Sequence, residues 1–200
     1  IYTRRGSQFT LSAQFTPPYS LFSKKDYKSL YESSSRADRE ELYRWIEYYK
    51  IKFKSRVYTP LNNSEKYTLV LMGRADFGLL GSYNKYKQTP FETFHVGGDG
   101  MTGSYTYATE TIGLRGYDNG ALTPYSDGRA YTRFSMELHF PFLLQPSSTI
   151  YGLAFVEGGN AWTSLENFNP FSLKRSAGVG VRIFLPMIGL MGIDWAYGFD

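Results

Sequence analysis

The sequence predicts an all-β protein, an antiparallel transmembrane β-barrel wall of about seven consecutive strands. Three observations carry this prediction. Apolar and polar residues alternate with period two in repeated short stretches, aromatic residues make up 18 % of the chain (18 Tyr and 15 Phe among them), and the connecting segments are by turns long and short. Period-two alternation puts every second side chain on one face, and a barrel wall has one face in lipid and the other towards a polar lumen. The 20 Gly and nine Pro stand in short clusters that punctuate the alternating stretches. Mean hydropathy is −0.36, and no apolar run reaches the roughly 18 residues of a transmembrane helix. A barrel is compatible with that, because its strands alternate instead of running apolar throughout.

In residues 7–16, Ser7, Phe9, Leu11, Ala13 and Phe15 share one face, and Gln8, Thr10, Ser12, Gln14 and Thr16 the other. A polar segment near 17–41, opening on Pro17, is too long for a tight turn. Over 42–58 alternation returns, with Tyr43, Trp45, Tyr49, Ile51, Phe53 and Val57 on the oily face and Arg44, Lys50, Lys52, Lys54 and Arg56 opposite. Glu47 falls on the oily face, where it fits only near a membrane boundary. Leu42, Trp45, Ile46 and Tyr49 also fit helical spacing, so a helix ending near Tyr49 competes here. Residues 61–65 read as a short turn. Residues 67–80 put Tyr67, Leu69, Leu71, Ala75, Phe77 and Leu79 outward and Arg74 and Asp76 inward; the Gly-, Ser-, Thr- and Tyr-rich stretch 81–129 reads as one large loop. In 131–140, Phe134, Met136, Leu138 and Phe140 face lipid while Arg133, Ser135, Glu137 and His139 face inward, and 143–147 turns the chain. Residues 150–158 are apolar on both faces until Glu157. Beyond a loop holding Trp162, residues 176–185 point Ala177, Val179, Val181 and Ile183 outward and Ser176, Gly178, Gly180 and Arg182 inward. Pro186 ends that strand, and 190–198 puts Met191, Ile193, Trp195 and Tyr197 outward with Asp194 inward.

Outer-membrane barrels have long external loops and short periplasmic turns. That rule places the ends before Ser64, Gln145 and Met187 at the periplasm. Bacterial barrels of this kind have even strand numbers, so seven strands imply a larger wall, with an N-terminal half and at least one further strand outside this chain. No signal peptide opens the sequence. Zero Cys excludes a disulfide framework and thiolate metal sites. The net charge of +4 is modest, and the basic run 50–56 reads as a solvated face with no nucleic-acid partner. His95 and His139, the two histidines, lack metal-ligand spacing; no Gly-x-Ser-x-Gly elbow occurs, and no helix pattern follows Gly97-Gly98-Asp99-Gly100 to make it a phosphate loop. No catalytic residue, metal or cofactor is therefore expected. Arg182 and Asp194, like Arg74 and Asp76, read as structural lumen charges.

At Ile112-Gly113-Leu114-Arg115-Gly116-Tyr117 the chain resembles the sixth extracellular loop of the BamA family of outer-membrane assembly factors. Members carry an Arg-Gly-aromatic motif there, usually close behind a Gly-Gly pair; here Gly97-Gly98 is similar to that pair, but Gly100 to Thr111 separates the two. Phe155-Val156-Glu157-Gly158-Gly159-Asn160-Ala161-Trp162 resembles the family's thirteenth strand, Ser176-Ala177-Gly178-Val179-Gly180-Val181-Arg182 its fourteenth, and Met187 to Asp194 its turn and fifteenth strand. A lone Arg-Gly-Tyr would carry nothing, whereas four motifs in strand order are specific.

The resemblance implies a sixteen-stranded barrel, of which residues 1–200 supply about strands nine to fifteen, preceded in the complete protein by periplasmic domains. It implies a non-enzymatic insertase of the Gram-negative outer membrane that takes unfolded β-barrel clients into the lipid bilayer, with accessory lipoprotein subunits. A polypeptide-secretion transporter of the same superfamily, or a diffusion porin, are the alternatives. The resemblance also implies that the loop folds back into the barrel with Arg115 reaching acidic residues. The alternation independently offers Glu137 and Glu157 as its inward-facing partners, because a guanidinium matches carboxylates in geometry and stays charged. Gly116 would allow close backbone approach, and Tyr117 would pack beside Phe155 or Leu153.

Overall fold

In a computed structural model of the chain, the structure describes residues 2–64, 66–101, 110–123, 125 and 127–200. Seven long strands form one antiparallel sheet: β1 (Gly6–Phe15), β2 (Tyr49–Pro60), β3 (Val70–Gly81), β6 (Ala130–Gln145), β7 (Ser148–Trp162), β8 (Lys174–Leu185) and β9 (Gly189–Gly198). Between β3 and β6 the large loop carries two short strands, β4 (Phe94–Val96) and β5 (Glu110–Ile112), which pair in parallel. Each long strand has 10–16 residues, enough for the roughly 9–11 that a tilted strand needs to cross a bilayer. Every strand in this sheet is hydrogen-bonded to the next one along the wall, so backbone polar groups are satisfied between strands, as a lipid environment demands.

Two faces emerge from the register. Phe53, Phe77 and Phe134 stand on one face, their rings 6.3 and 5.3 Å apart. That face continues into exposed Leu11, Met136, Val156, Val179 and Ile193. Opposite lie Lys50, Lys52, Lys54 and Arg56 of β2, Arg74 and Asp76 of β3, Arg133, Ser135 and Glu137 of β6, Glu157 of β7, Arg182 of β8 and Asp194 of β9, in register across neighbouring strands. Charges and loop together occupy this inner face; large apolar side chains stand bare on the outer one. The wall is that of a membrane barrel. Short connections (61–69, 146–147 and 186–188) share one end, and long ones (16–48, 82–129 and 163–173) the other.

The main departure from the sequence reading precedes β2. Residues 16–48 fold into three helices, α1 (Tyr19–Phe22), α2 (Tyr27–Glu32) and α3 (Arg36–Tyr43), so the strand predicted over 42–58 begins only at Tyr49. The competing helix exists but ends at Tyr43. Asp26 caps α2, accepting from the backbone N–H groups of Lys28 and Ser29. Glu47, predicted on the oily face, is instead fully buried within this cap of helices and accepts from the backbone N–H and hydroxyl of Ser20. Trp162, predicted just beyond a strand, is the last residue of β7, its ring 4.9 Å edge-to-face from Phe168.

A charge on the outer face meets lipid with no partner. Val179→Arg, in mid-β8, is expected to cost about 2–4 kcal/mol of stability, measured by denaturant unfolding of the full-length protein in vesicles; an unchanged midpoint would contradict this placement of the bilayer.

Candidate functional site

The loop between β3 and β6 lies on the inner face because it brings its own apolar core. Phe94, Val96 and Ile112 of the β4–β5 pair are buried against Leu80 and Tyr131 of the wall. Phe94 meets Tyr131 edge-to-face at 4.7 Å, and Leu114 is completely covered. Burying three such side chains supplies several kcal/mol, at about 1.5–3 kcal/mol each. The rest of the attachment is ionic. Glu110 receives Lys52 at 2.8 Å and Lys54 at 3.1 Å, with Lys50 at 3.5 Å; Lys50 also reaches Glu92 at 3.1 Å and lies over the Phe94 ring. Burial alone would raise the pKa of the Glu110 carboxyl, but the hydrogen bonds from Lys52 and Lys54 bring it below the usual carboxylate value. The basic row of β2 is therefore the seat of the loop's first half.

The second half ends on Arg115. Its backbone N–H donates to Oε2 of Glu157 at 2.9 Å, and its Nη2 to Oε1 of the same carboxylate at 2.6 Å. The same Nη2 binds Glu137, while Nη1 lies 3.3 Å from Asp194. The guanidinium also stacks on Phe155, its carbon 3.5 Å from the ring centroid. Three strands, β6, β7 and β9, thus converge on one side chain from a loop. Each acceptor is itself held: Ser135 donates to Oε1 of Glu157 at 2.9 Å, His139 lies 2.8 Å from Oε2 of Glu137, and Arg182 grips Asp194 through two bonds of 2.6 and 2.7 Å. Burial opposes the charge on Arg115, and the carboxylates of Glu157 and Glu137 outweigh it, so its pKa lies above the ordinary arginine value. Alongside, Arg133 pairs with Asp76 and donates to the carbonyl of Gly113 at 2.7 Å.

Glycine makes the approach possible. Gly116 has φ +92°, and a Cβ there would lie 2.9 Å from that of Ser176 and 3.0 Å from the amide nitrogen of Gly198. The Gly-Gly pair and the Arg-Gly-Tyr motif, separated in sequence, are neighbours in space. Gly97 donates to the carbonyl of Ile112, and Leu114 to that of Gly98, both at 3.0 Å. Of the intervening insertion, residues 102–109 lie outside the described residues.

The structure places Arg115, Glu137 and Glu157 in direct contact and adds Asp194, which the sequence reading had assigned with Arg182 to wall structure alone. Tyr117 is elsewhere than expected. The face of Phe155 is taken by Arg115, and Tyr117 lies against Gly198 with its hydroxyl donating to the carbonyl of Arg175 at 2.7 Å. Phe155 is left to the guanidinium because the inward row of β8 opposite it is glycine. Sequence reasoning missed Glu92 and Glu110. The signal was available, since the lysine row of β2 called for carboxylates and Glu110 ends a stretch with no other charge between Asp99 and itself. Among the described residues no His, Asp and Glu group has the geometry to hold a metal ion.

The Omp85 superfamily domain matches residues 3–200. Among solved structures, BamA from Haemophilus ducreyi lacking POTRA domains 1–3 is similar in fold, with TM-score 0.65 and 19 % identity over 100 % of this chain. The chain spans 36 % of that protein's length.

Because one Nη2 bridges two carboxylates, deleting Arg115 leaves Glu137 and Glu157 facing each other half-desolvated. Arg115→Ala is expected to cost about 3–5 kcal/mol and to expose the loop to protease. The Arg115→Ala, Glu137→Gln, Glu157→Gln triple variant should recover part of that loss. Charge reversal is the sharper check: Arg115→Glu should release the loop and Glu157→Arg added to it should partly restore protection, and complete absence of rescue counts against the pairing.

Proposed function

The chain belongs to the Omp85 superfamily, and from that premise we propose that it is the closed, loop-bearing side of an insertase that folds β-barrel proteins into the Gram-negative outer membrane. What carries the reading is an Omp85 wall whose inner face is occupied by its own loop, seated on carboxylates from three strands. A diffusion pore needs a free bore, whereas this loop buries Phe94, Val96, Ile112 and Leu114 against the wall. An assembly factor needs a stiff barrel around a strand edge that can pair with clients, and main-chain pairing accepts many client sequences. In this reading Arg115 is a positioning residue and performs no chemistry; it keeps the far side of the barrel rigid while clients add strands at the edge elsewhere in the complete protein. Glu137, Glu157 and Asp194 are its seat, Arg182 fixes Asp194, and Gly116 and Tyr117 set the loop's exit over β8 and β9. The partners are unfolded barrel precursors, the bilayer and accessory lipoproteins, and the reaction requires no cofactor.

The first test is depletion of the full-length protein in its own cells, followed by quantification of folded outer-membrane barrels from several unrelated families. A general loss, with precursors accumulating in the periplasm, is the expected result. Normal barrels together with the disappearance of one secreted polypeptide would overturn the insertase reading in favour of a dedicated transporter.

A further inference from the structure

We propose that Arg56 and Arg74 form an anion site on the inner wall that takes a compact oxyanion of the phosphate class. The two residues stand directly opposite each other on β2 and β3, both inward. Like charges in directly paired positions repel, and among the described residues most other inward basic groups of this wall are answered. Lys50, Lys52 and Lys54 share Glu92 and Glu110, Arg133 takes Asp76, and Arg115 and Arg182 divide Glu137, Glu157 and Asp194. Among the described residues, neither Arg56 nor Arg74 has a carboxylate within 4.0 Å. Nor does residue type favour a carboxylate from the undescribed part of the loop, because residues 102–109 contain no Asp or Glu. The Nε of Arg74 is moreover buried with no hydrogen-bond partner, an unfavourable state for a polar group and more so for a charged one.

Arg74, from the strand beside Arg56, lines a polar cavity of about 280 Å³ whose walls also carry Arg115, Arg133 and Arg182 and the carboxylates of Asp99, Glu137, Glu157 and Asp194, the last three already held by Arg115 and Arg182. The Asp99 carboxylate accepts the amide N–H of Met101 at 2.7 Å. A space of that size admits a small ion with its water. Two guanidinium forks on adjacent strands present several N–H donors to a single acceptor, and a tetrahedral dianion accepts from both at once while cancelling their repulsion.

The test uses the purified full-length protein in lipid nanodiscs, unfolded thermally in phosphate or in chloride at equal ionic strength, with phosphate affinity measured by equilibrium dialysis. Phosphate is expected to raise Tm over chloride, and R56Q and R74Q each to weaken phosphate binding about tenfold or more. In chloride R56Q should be at least as stable as the parent protein, because it removes the repulsion. Glycerol 1-phosphate distinguishes the source: protection equal to that by phosphate assigns the site to phosphate groups on small solutes, and weaker protection assigns it to free phosphate. Phosphate that stabilises no better than chloride would overturn the proposal, as expected if an acidic group of the complete protein already fills the site. Binding that survives intact in the R56Q/R74Q double variant would overturn it too, and the dialysis reading on the parent protein decides even where a variant fails to fold.

Discussion

A guanidinium delivered by a loop, and met there by carboxylates from three separate strands, constrains this molecule more than any other contact. Arg115 cannot satisfy Glu137, Glu157 and Asp194 unless β6, β7 and β9 hold their mutual register, because each acceptor is fixed to its own strand. A slip of one residue would turn every inward side chain to the lipid. Loop position and sheet register are thus two expressions of one arrangement. The glycine row of β8 belongs to it, since without that space Phe155 could not lie flat beneath the guanidinium.

The two ends of the loop are held by different means. Near β2, lysines on long flexible stems reach out to Glu110, and the salt bridges sit over a small apolar core. Near β7, a rigid planar group is gripped from several sides, with a backbone N–H added to the side-chain bonds. Lysine tolerates imprecise placement, and arginine specifies it. The loop is accordingly anchored loosely where it arrives and tightly where it turns back.

Much of this was legible from residue order alone. The strands and their inward and outward faces follow from period two, and the alternation of short and long connections from the gaps between them; only β7, with Tyr151, Leu153 and Phe155 inward, blurs the period. Period two misleads at 42–48, where Tyr43 and Trp45 mimic a strand by chance and Glu47 already breaks the pattern; α3 ends at Tyr43, and Glu47 is buried against Ser20. The Arg115 contacts with Glu137 and Glu157 lay within reach because inward acids on the following strands were few. Asp194 was read correctly as inward but not as a ligand of Arg115, since distance around a curved wall is absent from the sequence. The loop's small β4–β5 pair was illegible, being three residues a strand. It does account for the separation of Gly97-Gly98 from Arg115, because parallel strands require a crossover of about a dozen residues or more.

Every acidic residue that seats Arg115 follows it in the chain, the nearest by 22 positions and the farthest by 79. The seat is complete only when β6, β7 and β9 are all in register, because Glu137 and Glu157 come from neighbouring strands and Asp194 from two strands further along the wall. Contacts of such long sequence separation are slow to form, so the seating of the loop depends on long-range pairing across the wall and not on any single hairpin.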